Sequence, residues 1–328
     1  MEKAKLRVGL VGTGYVAKQR ADALRRDGRV DLVGVAGHTQ EKTEAFARNF
    51  HCPVVFSSWQ ELVAKDDVDL VAICTINRDH GAIAKAALSR GKHVIMEYPL
   101  SLEVAEAEEL VSLAKTQNKL LHVEHIELLG GWHQALKQHL SKVGNIFYVR
   151  YNTIKPENPA PRKWTYNHDY FGFPLLGALS RLHRLVDLFG KVLTVNCHNR
   201  FWATETDYYQ SCLCVAQLSF HSGLLAQVIY AKGETLWQAE RKFEVYGDGG
   251  GLLFNGDTAI FVKGKGETTP IEIGSRQGLF AKDTAIVLDH LFHGSPLYVT
   301  PEESLYTLKV GDAARRSAET GLTVVVED

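Results

Sequence analysis

Residues 6–17, which read LRVGLVGTGYVA, decide the fold of this chain. Their first half is an apolar run that predicts a buried strand, and the pattern that starts at Tyr15 predicts an amphipathic helix. Between the two, Gly12 permits a tight turn, Gly14 lets the backbone approach a pyrophosphate group, and Ala17 is small enough for close packing of helix on strand. This strand, G-x-G-x-x-A turn and helix predict a nucleotide site, because the free N–H groups of the helix face the phosphates.

Strands and helices alternate as far as about residue 126. Apolar runs predict four more strands of the same sheet, at 30–36, 69–75, 93–97 and 120–123. Such alternation produces a doubly wound parallel sheet, whose ligand crevice is lined by the loops at the carboxyl ends of the strands. We therefore expect these loop residues to contact a dinucleotide cofactor: Gly12, Thr13, Gly14, Tyr15, Val16, His38, Thr39, Thr75, Ile76, Asn77, His80, Glu97, Tyr98 and His125.

The second half of the chain has a different pattern. Seven strand-like runs predict an open, mainly antiparallel sheet, at 146–154, 192–203, 212–220, 223–230, 242–246, 251–254 and 259–262. Four helices are predicted to cover one face of this sheet, at 132–140, 175–189, 283–292 and about 301–319. The predicted fold class is α/β, with a doubly wound parallel (Rossmann) domain over 1–126 and an α+β substrate-binding domain over 127–328.

The composition indicates an ordinary globular protein and does not favour nucleic acid or a membrane as a partner. The 37 basic side chains balance the 38 acidic ones, so no overall field attracts nucleic acid or an anionic membrane. No apolar run approaches the length of a membrane span, and the charged start of the sequence is not expected to act as a signal peptide. We expect a cytoplasmic protein that is a monomer or a weak homo-oligomer, since an open sheet faces either solvent or a second subunit.

The cysteine and histidine patterns do not predict a metal site. The five cysteines are scattered, and Cys212 and Cys214 lie in one strand-like run, which favours buried thiols in a reducing compartment. His122, Glu124 and His125 match no helical zinc spacing, and on a strand the two histidines would face opposite sides. We therefore expect no metal, with Glu124 and His125 beside the nicotinamide and His122 in the core.

The loop after the second strand bears on the choice of cofactor. Dinucleotide-binding folds usually place an Asp or Glu there, on the adenosine ribose 2′-hydroxyl. This chain has Gly37, His38 and Thr39 instead, so a 2′-phosphate meets no repulsion and can contact His38, Thr39 or Lys42. NADPH is favoured over NADH, although NADH remains possible because a plain surface loop has the same composition.

With the motif at 97–99, these features resemble the glucose-fructose oxidoreductase and inositol dehydrogenase superfamily along the whole chain. That superfamily normally has Glu-Lys-Pro here, and its lysine acts on the substrate hydroxyl; in this chain the lysine is replaced by Tyr98. The superfamily's later Asp and His correspond to Ser180 and Arg184, and Asp187 matches a final Asp on the same helix. The resemblance therefore implies the fold without the residues that handle a hydroxyl proton.

A more specific resemblance is to the bacterial branch of the biliverdin reductase family. It rests on segments in both halves of the chain, at 97–100, 121–131, 158–161, 164–166, 171–175 and 180–181. It implies an NADPH-dependent reduction of the central methine carbon of the linear tetrapyrrole biliverdin, which gives bilirubin. It also identifies Arg181 as the family's important arginine.

Such a substrate needs aromatic walls for its conjugated plane and cations for its two propionates. The segment 155–173 is rich in aromatic residues. From it and from the resemblance we expect these side chains to contact the substrate: Trp164, Tyr166, Phe173, Arg181 and Arg184. The alternative for the aromatic residues is packing beneath the loop, and for the arginines it is an ion pair with Asp187 or another neighbour on the helix.

Arg181 and Tyr98 are the candidate catalytic residues. Hydride transfer is easier when a central pyrrole nitrogen is protonated, but a guanidinium is a very poor acid. We therefore interpret Arg181 as a fixed hydrogen-bond donor that stabilises developing charge. Tyr98 is either a proton donor or a residue that packs against the nicotinamide ring. A sugar or cyclitol dehydrogenase and a non-catalytic NADP-binding regulator are the alternative functions.

Overall fold

The computed structural model describes residues 5–203 and 206–327. Contacts between Cα atoms divide the chain into two compact units. The first consists of Met1–Ile126 together with Gly278–Leu305, and the second of Glu127–Gln277 together with Tyr306–Asp328. None of the helices in the described residues combines the length and the apolar character that crossing a bilayer requires.

The first unit is built on a six-stranded parallel sheet. Its strands are β1 Leu6–Val11, β2 Val30–Ala36, β3 Val54–Phe56, β4 Leu70–Ile73, β5 His93–Glu97 and β6 Leu121–Glu124. They are arranged in the order β3-β2-β1-β4-β5-β6, and every pair is parallel. The predicted doubly wound sheet is confirmed. The sequence does not predict β3, because three residues are too few for a recognisable pattern.

Helices alternate with these strands: α1 Tyr15–Arg26, α2 Gln40–Phe50, α3 Trp59–Ala64, α4 His80–Ser89 and α5 Val104–Thr116. The apolar face of α1 packs on the sheet, since Ala17, Ala21 and Leu24 share one core cluster with Val8 and Leu10 of β1. The side chains of Val8 and Leu10 have no exposed surface. The central strand β1 is therefore held rigidly where it leads into the glycine turn.

The second unit is built on a nine-stranded sheet. Its strands are β7 Ile146–Pro156, β8 Val192–Trp202, β9 Ser211–Phe220, β10 Leu225–Gly233, β11 Glu240–Gly247, β12 Gly250–Asn255, β13 Thr258–Lys263, β14 Glu267–Pro270 and β15 Val324–Val325. Their order is β14-β13-β12-β11-β7-β10-β9-β8-β15. Among the described residues β7 and β10 form the one parallel pair, so the mainly antiparallel prediction is confirmed. The edge strands β14 and β15 are short and largely exposed, and the sequence does not predict them.

Four helices precede β8 in this unit: α6 Gly131–His139, α7 His168–Phe171, α8 Pro174–Gly177 and α9 Ser180–Phe189. The single helix predicted over 175–189 is wrong, because the chain breaks between α8 and α9. Ala178 leaves the helical region with a ψ of 38°, while the apolar spacing continues across the break. The break makes Ser180 and Arg181 the first two residues of α9.

The remaining helices are α10 Leu279–His293 and α11 Pro301–Thr320. The prediction that the first of them covers the second sheet is wrong, because α10 belongs to the first unit. Its Val287 and Leu288 join the core cluster that contains Leu24 of α1. Its Asp283 forms a fully buried ion pair with Arg20 of α1. The apolar spacing of α10 shows that one face of the helix is buried, but it does not show which sheet that face packs against. The buried charge pair with Arg20 selects the first unit.

The buried ion pair gives a test of how the segment 278–305 is held. Asp283→Asn should lower the free energy of unfolding by about 3–5 kcal/mol, because it leaves the buried Arg20 charge with only the more distant carboxylate of Glu97, 3.5 Å away. The matched control is Asp289→Asn on the same helix, whose partner Arg29 and whose own carboxylate are partly exposed, so that its cost should be about 0–1 kcal/mol. Urea denaturation measures both. Equal costs for the two variants would contradict this assignment.

Candidate active site

The glycine turn after β1 has the shape that a pyrophosphate group requires. Gly12 has a φ of 119°, and a Cβ there would lie 2.2 Å from the carbonyl oxygen of Cys74. Gly14 is the N-cap of α1 and, as a glycine, has no side chain to cover the first turn of the helix. A Cβ on Gly14 would meet nothing within 4 Å, so the space before the first N–H groups of α1 is open. The shape of this turn fits a dinucleotide cofactor.

The loop after β2 presents no carboxylate. A Cβ at Gly37 would lie 2.4 Å from Thr43 Oγ1 and 2.8 Å from Thr13 Cγ2, so no acidic side chain is accommodated there without a shift. His38 and Thr39 are exposed, as is Lys42 on the first turn of α2. Thr39 is the N-cap of α2 and makes no capping hydrogen bond with its side chain. These three exposed side chains are available to a 2′-phosphate.

The loops after β4 and β5 are tied together by a histidine. His80 has no exposed surface, and its Nδ1–H donates to the carbonyl oxygen of Pro99 at 2.8 Å. Burial lowers the pKa of His80, so its ring is neutral. Asn77 is buried in a short 3₁₀ turn before α4, whereas Thr75 and Ile76 are partly exposed. His80 therefore positions the loop that carries Tyr98 and has little surface of its own for a cofactor.

Tyr98 is held against His125, at the carboxyl ends of β5 and β6. Their rings stack with centroids 5.5 Å apart and an interplanar angle of 8°. His125 is fixed in turn, because its Nε2 lies 3.0 Å from Ser304 Oγ and its backbone N–H donates to Tyr298 Oη at 3.0 Å. The stack gives Tyr98 a defined orientation, as a ring-positioning role requires.

A buried charge network underlies this edge of the sheet. Asp283 accepts hydrogen bonds from Arg20 and, at 2.7 Å, from the Tyr298 hydroxyl, and its Oδ1 lies 2.8 Å from His122 Nε2. His122 is therefore a hydrogen-bonded core residue. Burial raises the pKa of Glu97, and burial together with the neighbouring carboxylate of Glu97 raises the pKa of Glu124 well above its usual range. The part of the chain that the structure describes contains no group of three His, Cys, Asp or Glu side chains arranged to hold a metal ion.

In the second unit, the predicted substrate loop is packed around a buried lysine. The Nζ of Lys232 lies 3.9 Å from the ring centroid of Phe171 and 4.7 Å from that of Tyr166, and it donates to the carbonyl oxygen of Thr165. Tyr166 is 1% exposed, whereas Trp164 is 36% exposed and Phe173 is partly exposed. Burial lowers the pKa of Lys232 to about 8. The sequence does not indicate a role for Lys232, because a lysine in a strand is usually a surface residue.

The two predicted arginines of α9 have different environments. Arg181 is partly exposed, donates to Ser180 Oγ at 2.7 Å and lies 5.5 Å from the ring centroid of Tyr230. Arg184 has no exposed surface and donates to Glu127 Oε2 at 3.0 Å. The alternative of an ion pair between Arg184 and Asp187 is wrong, because Asp187 pairs with two residues of α6, His133 and Lys137.

Two family models match the chain. The model described as "Oxidoreductase family, NAD-binding Rossmann fold" matches residues 6–125. The model described as "Oxidoreductase family, C-terminal alpha/beta domain" matches residues 137–326. Together they account for the doubly wound sheet and for the open sheet that follows it.

Solved structures and curated proteins give closer comparisons. A crystal structure of biliverdin reductase in complex with biliverdin and NADP+, from Synechocystis sp. PCC 6803, is 50% identical, with 96% of this chain and 99% of that chain covered and a TM-score of 0.94. Biliverdin reductase A of Mus musculus is 28% identical over 292 residues, which are 88% of this chain and 87% of the mouse protein. An NAD-binding oxidoreductase from Klebsiella pneumoniae, 20% identical with a TM-score of 0.82 over 99% of this chain and 100% of its own, shares the fold.

The loop after β2 predicts how cofactor preference can be changed. Thr39→Asp keeps a good N-cap for α2 and places a carboxylate where a 2′-phosphate would lie, so the Kd for NADPH should rise about tenfold or more while the Kd for NADH changes much less. Thr39→Asn is the neutral control of nearly equal shape. Titration of the fluorescence of the reduced cofactors measures both constants. Equal changes for NADPH and NADH would place the adenosine end elsewhere.

Proposed function

We propose that this chain, which belongs to the Gfo/Idh/MocA oxidoreductase family, is a biliverdin reductase that uses NADPH. The two domain models of that family match it over residues 6–125 and 137–326. The observation that carries this proposal is the 50% identity to the Synechocystis enzyme over 99% of that chain. When bound, NADPH supplies a hydride to the central methine carbon of biliverdin, and a proton added to a pyrrole nitrogen completes the reduction to bilirubin.

The environment of each residue indicates which part of the cofactor it would contact. The open turn at Gly12 and Gly14 receives the pyrophosphate, and His38, Thr39 and Lys42 offer polar contacts to the 2′-phosphate. Tyr98, stacked on His125, is a positioning residue for the nicotinamide ring.

Arg181 is the proposed catalytic donor to the tetrapyrrole nitrogens. Its partial exposure leaves it accessible, and Ser180 and Tyr230 hold its guanidinium in one orientation. A preorganised cation of this kind stabilises charge that develops during hydride transfer. Because a guanidinium does not release its proton, the proton itself comes from a proton-bearing water or solvent species that Arg181 positions.

The alternative of a sugar or cyclitol dehydrogenase has less support. The superfamily's lysine, aspartate and histidine are replaced by Tyr98, Ser180 and Arg184. Arg184 is fully buried against Glu127, and so cannot take a proton from a substrate hydroxyl. A non-catalytic NADP-binding regulator is distinguished by the turnover experiment below.

We further propose that the protein is cytoplasmic, a monomer or a weak homo-oligomer, and binds neither nucleic acid nor a membrane surface. The five cysteines are free and buried, as in proteins of reducing compartments. The 37 basic and 38 acidic side chains nearly balance, so the protein has no general attraction to polyanions.

Arg181 is the residue on which turnover should depend most. Arg181→Ala should lower kcat for biliverdin reduction about 100- to 1000-fold with little change in the Kd for NADPH, because one preorganised donor is lost. Arg181→Lys should restore only part of the rate, since an ammonium lacks the planar fork of the guanidinium. Tyr98→Phe should keep substantial activity, because the phenyl ring still stacks on His125.

The assay follows the decrease of NADPH absorbance and the change from green biliverdin to yellow bilirubin. Arg200→Ala, which removes an exposed arginine from β8, is the control and should behave as the wild type. Wild-type rates in Arg181→Ala together with an inactive Tyr98→Phe would make the tyrosine the acid. Binding of biliverdin and NADPH without any turnover by the wild type would favour a regulator.

A further inference from the structure

Three arginines converge on one carboxylate in the second unit. Glu127 Oε2 lies 3.0 Å from Arg184 Nη2 and 3.6 Å from Arg241 Nη2, and Glu127 Oε1 accepts a hydrogen bond from Arg276. We call these four residues the arginine cluster. Three positive charges and one negative charge leave it with a net charge of about +2.

The excess of positive charge is not needed to satisfy Glu127. Arg184 alone is fully buried against that carboxylate. Arg241 and Arg276 add two further cations to the same group, and each repels the others. Burial and the nearby charges of Arg276 and Arg184 lower the pKa of Arg241. Mutual repulsion of this kind is costly in the free protein and is relieved when an anion binds.

The cluster also retains hydrogen-bond donors. Nε and Nη1 of Arg184 are buried and have no hydrogen-bond partner among the described residues. Arg241 and Arg276 are accessible, because their side chains are 28% and 56% exposed. The two accessible guanidinium groups, held by one carboxylate, can offer donors for the planar, two-pronged recognition of a second carboxylate.

Buried aromatic rings support two arginines of the cluster. The guanidinium of Arg241 lies 4.2 Å from the ring centroid of Trp132, and that of Arg184 lies 5.6 Å from the ring centroid of Tyr151. Trp132 is itself fixed, since its indole N–H donates to the carbonyl oxygen of Gly256 at 2.9 Å. Trp132 and Tyr151 are only 3% and 4% exposed, so these rings hold the guanidinium groups in place from the protein interior.

The segment that carries Arg276 is held close to the start of α6. A Cβ on Gly131 would lie 1.8 Å from the carbonyl oxygen of Gly274, so the two backbones are in direct contact there. This contact brings the residues before Arg276 beside Glu127, which lies four positions before Gly131. The position of Arg276 is thus built into the backbone.

We infer that Arg241 and Arg276, held by Glu127, bind a carboxylate of the substrate, namely a propionate group of the tetrapyrrole. This inference rests on the proposed function, and it assigns propionate recognition to two arginines that the sequence does not single out. Glu127 and Arg184 act as positioning residues that keep the two accessible guanidinium groups in place.

The test compares biliverdin with its dimethyl ester, in which both propionates are neutral. Arg241→Gln and Arg276→Gln should each raise the Kd for biliverdin about 10- to 100-fold, because a charge-assisted hydrogen bond is lost. The wild type should bind the ester more weakly by a similar factor, and neither variant should weaken ester binding further. Quenching of tryptophan fluorescence measures binding, and the KM and kcat of reduction are measured alongside; kcat should change little.

The matched control is Arg150→Gln, which removes a partly exposed arginine of β7 that pairs with Glu244 outside the cluster; its Kd values should equal those of the wild type. Equal binding of biliverdin and its ester by the wild type would overturn the inference, even if a variant failed to fold. Carboxylate-dependent binding without turnover would uphold this inference and overturn the proposed function. Turnover of biliverdin with binding that does not depend on its carboxylates would uphold the proposed function and overturn this inference.

Discussion

The buried ion pair between Arg20 and Asp283 is the interaction on which the first unit depends most. Asp283 lies on a helix that the chain reaches only after eight of the nine strands of the second sheet, and Arg20 lies on the helix that follows the glycine turn. Neither charge is exposed, and each is compensated chiefly by the other, with Glu97 as a second carboxylate 3.5 Å from Arg20. Burial alone would raise the pKa of Asp283, but the charge of Arg20 and hydrogen bonds hold it below its usual range. The pair therefore stabilises the fold at neutral pH and is lost only in strong acid.

Asp283 also organises the edge of the sheet where the cofactor is proposed to bind. Through the Tyr298 hydroxyl it orients the backbone of His125, whose ring carries the stacked Tyr98. In the first unit the buried charges of Arg20 and Asp283 compensate each other, whereas the charges around Glu127 in the second unit are unbalanced. There, Glu127 is outnumbered by arginines, and the imbalance favours an anionic ligand. One cluster is closed and structural, and the other is open and suited to binding.

The sequence predicts what depends on local chemistry and misses what depends on distant partners. The turn at Gly12 and the parallel strands follow from spacing and backbone sterics, and both are present. The position of α10 follows from a charge pair 263 residues apart in sequence, which no local pattern reveals. The break before α9 lies inside an unbroken apolar pattern, so spacing cannot show it. Lys232 and Arg241 look like surface residues until the sheet places aromatic rings beside them.

The central claim is that hydride passes from NADPH to the central methine carbon of biliverdin, and isotope transfer tests it most directly. NADPH deuterated at both C4 positions should give bilirubin that carries one deuterium on its central methylene carbon, as detected by mass spectrometry and NMR. The same experiment with unlabelled NADPH in heavy water should leave that carbon without deuterium, because solvent protons go to nitrogen. Deuterium at any other carbon, or unreacted biliverdin in the presence of bound NADPH, would contradict the claim.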